Sequence, residues 1–251
     1  MIHSFLLIGQ SNMAGRGFLK DAPAVDTSRI KVLRNGRWQP MYRPVNADRA
    51  FAGSNLAERF AELYAQKHGV DVGLIACADG GTSLEQWKVG GLLYDHAVYQ
   101  AKLASRTSTI AGILWHQGES DCTPRYFTTY QERLTRMLTS LRRDLDLDDV
   151  PILLGGLGDY LSQFDAGPEI QQHYPRVNEA LLATAQTLPR TGFVSAAGLG
   201  SNPDHLHFNA EALYEFGQRY FDMFETLCDP NKVFFEKPCE DDALRTDMEK
   251  L

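Results

Sequence analysis

The sequence predicts an α/β fold, a three-layer α/β/α sandwich in which helices cover both faces of a five-stranded parallel sheet. Two observations carry this expectation. Five apolar runs, each too short to stand as a helix, alternate along the chain with longer segments of helical character. Several of these runs then break off into glycine and small polar residues, the point at which a parallel sheet hands its chain to the loops that hold ligands. At 251 residues the chain suits one large domain with a substantial core. That domain is expected over residues 1–228, with a charged C-terminal tail over 229–251.

The first strand is read in Phe5 to Ile8, which ends in Gly9-Gln10-Ser11-Asn12-Met13. Residues 18–51 are irregular, with three prolines. They hold at most a short strand near Ile30–Leu33 and a hairpin turn at Asn35-Gly36. Irregular segments of this length inside a compact domain often form rims over a site. A helix follows over Ser54 to His68, with Leu56, Phe60, Leu63 and Tyr64 on one face, Ser54 as its cap and Gly69 as its stop. The second strand, Val70 to Cys77, runs into Ala78-Asp79-Gly80-Gly81. Tyr94 to Ser105 reads as helix and Ile110 to Trp115 as the third strand, which ends in His116-Gln117-Gly118-Glu119-Ser120-Asp121. Tyr126 to Leu145 has a strong apolar stripe of Leu134, Met137, Leu138 and Leu141. Pro151 to Leu157 is the fourth strand, Ile170 to Leu188 a helix whose start Pro175 disturbs, and Thr191 to Ala197 the fifth strand. A loop over Gly198 to Leu206 leads to a last helix from about Asn209 to Leu227.

Composition narrows the class. The net charge of −7 and the lack of any Lys/Arg block argue against nucleic acid or an anionic membrane as partner. No apolar stretch reaches the length of a membrane span. The first residues lack the basic and long apolar regions of a signal peptide, so a cytoplasmic protein is expected, although a mature secreted form reads the same. Four cysteines, Cys77, Cys122, Cys228 and Cys239, show no zinc-like spacing, and reduced thiols are the default. Cys77 reads as a small buried hydrophobe, and a Cys228–Cys239 bridge has little support.

A parallel sheet places its strand ends on one edge, so Ser11, Gly80-Gly81, Gln117 and the loop bearing Asp204 and His207 share it. Ser11 is also the residue type that caps helices. Asp204, three residues before His207, can accept from its Nδ1–H and leave Nε2 free to take a proton from Ser11. This is the logic of a serine hydrolase in chain order Ser, Asp, His. His205 competes as the base, but it adjoins Asp204 at a spacing less suited to that contact. Asp204, His205 and His207 also admit a metal-ligand reading, which lacks a clear further ligand. The N–H groups of Ser11 and Gly81 and the amide of Gln117 come from three strand ends and suit an oxyanion. Gly80 and Glu119 stand as supports of the site, Glu119 equally open to an ordinary salt bridge. No cofactor is expected. The serine does not lie in the Gly-x-Ser-x-Gly elbow of α/β-hydrolases.

Leu7-Ile8-Gly9-Gln10-Ser11-Asn12-Met13-Ala14-Gly15, Gly80-Gly81-Thr82-Ser83, Trp115-His116-Gln117-Gly118-Glu119-Ser120-Asp121 and Asp204-His205-Leu206-His207-Phe208 run in order over nearly the whole domain. Together they resemble the SGNH/GDSL hydrolase superfamily, and within it the sialate O-acetylesterase-like group that includes carbohydrate esterase family 6. The resemblance implies a flavodoxin-like sandwich and a metal-independent esterase acting on acetylated sugars. Ser11 would be its nucleophile, His207 its base and Asp204 the partner of that base, with Ser11, Gly81 and Gln117 as the oxyanion hole. The resemblance leaves open which glycine of the pair donates. Acetylated xylo-oligosaccharides and acetylated sialic acid both fit as substrates, and oligomeric state is left open. Trp38, Trp87 and Tyr94 can stack on sugar rings, though core packing is the commoner use of each. The alternatives are an SGNH lipase or thioesterase acting on longer acyl esters, and a non-catalytic carbohydrate-binding protein.

Overall fold

The computed structural model describes residues 1–228 and contains a sheet of seven strands rather than the five expected. They are β1 (Ile2–Gly9), β2 (Ile30–Arg34), β3 (Arg37–Pro40), β4 (Asp71–Ala76), β5 (Thr109–His116), β6 (Ile152–Gly155) and β7 (Thr191–Val194), in the spatial order β3-β2-β4-β1-β5-β6-β7. The five strands read from apolar runs are all present. The additional pair is a hairpin through Asn35-Gly36 that adds β2 parallel to β4 and leaves β3 antiparallel at the sheet edge. With Pro40 in it and only Trp38 as an apolar residue, β3 has an edge strand's composition and gives no apolar run to read.

The sheet is wound in both directions from β1, which pairs in parallel with β4 on one side and β5 on the other. Phe5, Leu6, Leu7 and Ile8 are fully buried, as expected of a strand covered on both faces. Among the described residues six α-helices surround the sheet: α1 (Ser11–Ala14), α2 (Leu56–His68), α3 (Leu92–Ala104), α4 (Tyr130–Leu145), α5 (Pro168–Thr187) and α6 (Ala210–Leu227). α2 packs on α6, and Phe60 and Phe224 meet Phe5 edge-on at 4.8 and 5.6 Å between ring centroids. α4 packs against both α3 and α5. Among the described residues no helix is long and apolar enough to cross a membrane.

Three boundaries differ from the sequence reading for local reasons. The cap of α2 is Asn55, not Ser54: its side chain accepts from the Ala57 N–H at 2.6 Å while Glu58 accepts from the Asn55 N–H at 3.0 Å, a reciprocal capping box. α5 begins at Pro168, where a missing N–H costs nothing, and runs through Pro175. The segment before α4 is a short 3₁₀ turn over Phe127–Thr129. Trp87 and Tyr94 are buried. Trp87 donates to Thr82 Oγ1 at 3.1 Å, Tyr94 to Asp144 at 2.6 Å and Trp38 to Thr107 at 3.0 Å, so all three are packing residues rather than a sugar platform. The expected tail over 229–251, and Cys239 with it, lie outside the described residues.

Candidate active site

The carboxyl ends of β1, β4 and β5 meet where the sheet changes winding direction, the position at which open α/β sheets bind ligands. Ser11 is the first residue of α1 and Gln10 occupies the cap position, so Ser11 does not serve as a helix cap. Its hydroxyl instead lies 3.0 Å from His207 Nε2, and His207 Nδ1 lies 2.7 Å from Asp204 Oδ2. The loop before α6 is shaped by the same aspartate: Asp204 Oδ1 accepts from the N–H groups of Leu206 and His207, each at 3.0 Å. Burial pushes the Asp204 carboxyl up. The hydrogen bonds from the His207 ring and from the two amides outweigh it and hold Asp204 below the usual carboxylate range. An ionised Asp204 fixes the His207 tautomer with Nε2 facing Ser11. His205 turns away to Ser201 Oγ at 3.4 Å, so of the two histidines it is His207 that faces Ser11. Among the described residues no cluster of three or more His, Cys, Asp or Glu side chains is arranged to hold a metal ion.

The loop after β4 lies against the serine: a Cβ placed on Gly80 would stand 3.4 Å from Ser11 Cβ and 2.5 Å from the Arg16 guanidinium. Gly80 donates its N–H to Asp48 Oδ2 at 2.9 Å, whereas among the described residues the Gly81 N–H has no acceptor. Gly81 also takes a left-handed φ of +77° with open space around it. Of the pair, Gly81 therefore has the donor available to a ligand. Gln117 is engaged elsewhere. Its Nε2 faces Gln10 Oε1 and the Thr82 carbonyl at 3.1 Å each and Asp121 Oδ2 at 2.7 Å, more acceptors than it has protons, and it is fully buried. Tyr130 donates to its side-chain and backbone oxygens. The amide of Gln117 thus braces the strand-end loops instead of pointing a free N–H at an oxyanion.

A family model for carbohydrate esterases, described as sialic acid-specific acetylesterase, matches residues 1–226. The chain belongs to this carbohydrate esterase family. A probable carbohydrate esterase of Arabidopsis thaliana is 28% identical over 236 residues, covering 85% of this chain and 86% of its own. The Arabidopsis crystal structure superposes with a TM-score of 0.80 over 90% of this chain and 99% of that one. A carbohydrate acetylesterase from Xanthomonas citri is 18% identical with a TM-score of 0.68, covering 94% of this chain and 58% of that one. The structure of NanS is likewise 18% identical, with a TM-score of 0.67 over 90% and 97% of the two chains. At that identity these last two likenesses speak for the fold alone, an α/β sandwich around a mostly parallel sheet.

In this carbohydrate esterase several site residues escape a reading of the sequence. Asp48 and Arg16 form an ion pair at 2.6 Å, each about 5% exposed or less, beneath the Gly80 loop. Arg49 donates to the Gly80 carbonyl at 2.9 Å and pairs with Asp79 at 2.8 Å, and Asn46 donates to the Ala78 carbonyl at 3.0 Å. Asn46, Asp48 and Arg49 of the irregular 18–51 segment thus hold the loop after β4. Asp121, fully buried, accepts from the Leu84 N–H at 2.8 Å as well as from Gln117, and pairs with Arg133 at 2.8 Å. Nothing in sequence spacing signals these partners, which lie 32 or more positions apart in the cases of Asp48 with Arg16 and Asp121 with Leu84.

Proposed function

We propose that this carbohydrate esterase is a serine enzyme that removes O-acetyl groups from sugars through an acyl-enzyme on Ser11. The observation that carries the reading is the continuous chain from Ser11 Oγ through His207 to Asp204, at 3.0 and 2.7 Å, at the winding switch of the sheet. Ser11 Oγ attacks the ester carbonyl while His207 Nε2 takes its proton, and Asp204 stabilises the imidazolium that forms. The developing oxyanion is met by the N–H groups of Ser11 and Gly81. Each such donor is worth about 10²–10³ in rate, roughly 3–4 kcal/mol. His207 returns the proton to the sugar oxygen as that bond breaks, and a water activated by the same nitrogen then releases acetate and restores Ser11.

Acetylated sugars as substrates are supported by the description of the family model and by the name of the Xanthomonas relative. The test is a panel of esters: acetylated xylo-oligosaccharides, acetylated sialic acid, and simple esters of increasing acyl length. The reading expects acetate release from at least one sugar and a rate that falls as the acyl chain lengthens. A rate that rises with chain length, with both sugars untouched, would replace it with a lipase or thioesterase. Binding of a sugar without turnover would replace it with a carbohydrate-binding protein.

A further inference from the structure

Asn12 and Glu119 stand outside the Ser11–His207–Asp204 chain yet connect its parts. Asn12 follows Ser11 directly and is 1% exposed. Its Nδ2 donates to Glu119 Oε1 at 2.6 Å and to the Leu206 carbonyl at 3.2 Å, and its Oδ1 accepts from the Phe208 N–H at 3.1 Å. Leu206 and Phe208 are the two neighbours of His207. One amide therefore grips the backbone on both sides of the histidine from a position adjacent to the serine. Only an amide of this size offers two donors and an acceptor together.

Glu119, from the loop after β5, has no lysine or arginine partner among the described residues. The cation nearest in kind is His116, whose Nδ1 is 3.8 Å away and whose ring burial keeps neutral. Its Oε2 is buried with no hydrogen-bond partner among the described residues. A carboxyl group buried this deeply without a countercharge is not there as a stabilising ion pair. Among the described residues its short hydrogen bond goes to Asn12, at 2.6 Å, and fixes which way that amide faces.

We infer that Asn12 and Glu119 form a buried positioning strut that sets the separation and aim of Ser11 and His207. The inference rests on the serine-esterase reading of that pair. Asn202 also ties the histidine loop to the serine turn, donating to the Arg16 carbonyl at 2.9 Å. That tie keeps the loop folded when the strut is removed, and the strut governs alignment.

The experiment measures the rate at which a fluorophosphonate labels Ser11, together with kcat and KM on an acetyl ester, in Asn12→Ala, Glu119→Ala, Glu119→Gln and the Asn12→Ala/Glu119→Ala double variant. Thermal melts identify the temperature at which each is folded. Loss of alignment on the order of 1 Å lowers kcat and labelling about 10²-fold with KM little changed. Glu119→Gln recovers much of the Glu119→Ala loss, because its amide oxygen still accepts from Asn12. The double variant is no worse than the poorer single one, because both remove the same element. Should Asn12→Ala fail to fold, the two Glu119 variants carry the comparison. Variants with lowered melting points but wild-type labelling rates would overturn the strut and leave the esterase reading intact, as would losses that multiply in the double variant. A wild-type protein that does not label at Ser11 would overturn both.

Discussion

Replacing Asp48 by alanine removes the anchor of the loop after β4. The carboxylate receives Arg16 Nη1 at 3.1 Å and Nη2 at 2.6 Å, and the Gly80 N–H at 2.9 Å, with both side chains about 5% exposed or less. The variant leaves a guanidinium buried with, among the described residues, only the Gly15 carbonyl, at 2.8 Å, still accepting from it. Breaking a buried pair from one side costs about 3–5 kcal/mol, since the remaining charge keeps its desolvation penalty. For a chain of this size each kcal/mol moves the melting point by about 2–4 °C, so Asp48→Ala should melt about 6–20 °C below wild type at pH 7. The pH dependence has a definite sign. Burial pushes the Asp48 carboxyl up, but the hydrogen bonds and charge of Arg16, the Gly80 N–H and Arg49 outweigh it and hold it below the usual carboxylate range. Its stabilisation is therefore complete above the unfolded value of about 3.9 and is lost as pH falls through the lower folded one. Thermal melts followed by circular dichroism from pH 8 to pH 3 should show a steady gap that narrows only below about pH 4. A melting point within about 2 °C of wild type at pH 7, or a gap that widens in acid, would refute this account of the anchor.

Gly81→Ala meets open space but must hold an L-residue at a φ of +77°. The backbone relaxes and the N–H turns, so kcat on an acetyl ester should fall about 10²-fold with KM nearly unchanged, as steady-state kinetics would show. The buried thiols should be inert: burial pushes Cys77 up to about 12 and raises Cys122 further, so alkylation at pH 8 followed by peptide mass spectrometry should find both unmodified until the protein is denatured.

The strands at the centre of the sheet are legible because they are buried on both faces and so appear as apolar runs, as in Phe5–Ile8 and Ile152–Leu154. The same physics hides β3, where Arg37 and Pro40 are exposed at the sheet edge and only Trp38 packs against the core, so the strand has no apolar run. The start of α2 is legible in the sequence too, since Asn55 with Glu58 three residues on is a capping-box spacing. In the site, Ser11, Gly81, Asp204 and His207 are legible because a parallel sheet delivers strand ends to one edge and Asp204 lies three positions from its histidine. Gln117 is legible as a site residue, but not its task, because only the fold shows Asp121, Thr82 and Gln10 closing around its amide. Asn12 carries no sequence signal beyond its place beside Ser11. Its partners, Glu119 and the backbone of Leu206 and Phe208, lie more than 100 positions away.

The central claim is that Ser11 performs the chemistry on an acetylated sugar. Acetate release from acetylated xylo-oligosaccharides and acetylated sialic acid, compared between wild type and Ser11→Ala with matched circular dichroism spectra, tests it most directly. The account predicts release by wild type and loss of nearly all of it in the variant. Release at an undiminished rate from a folded Ser11→Ala protein would contradict it.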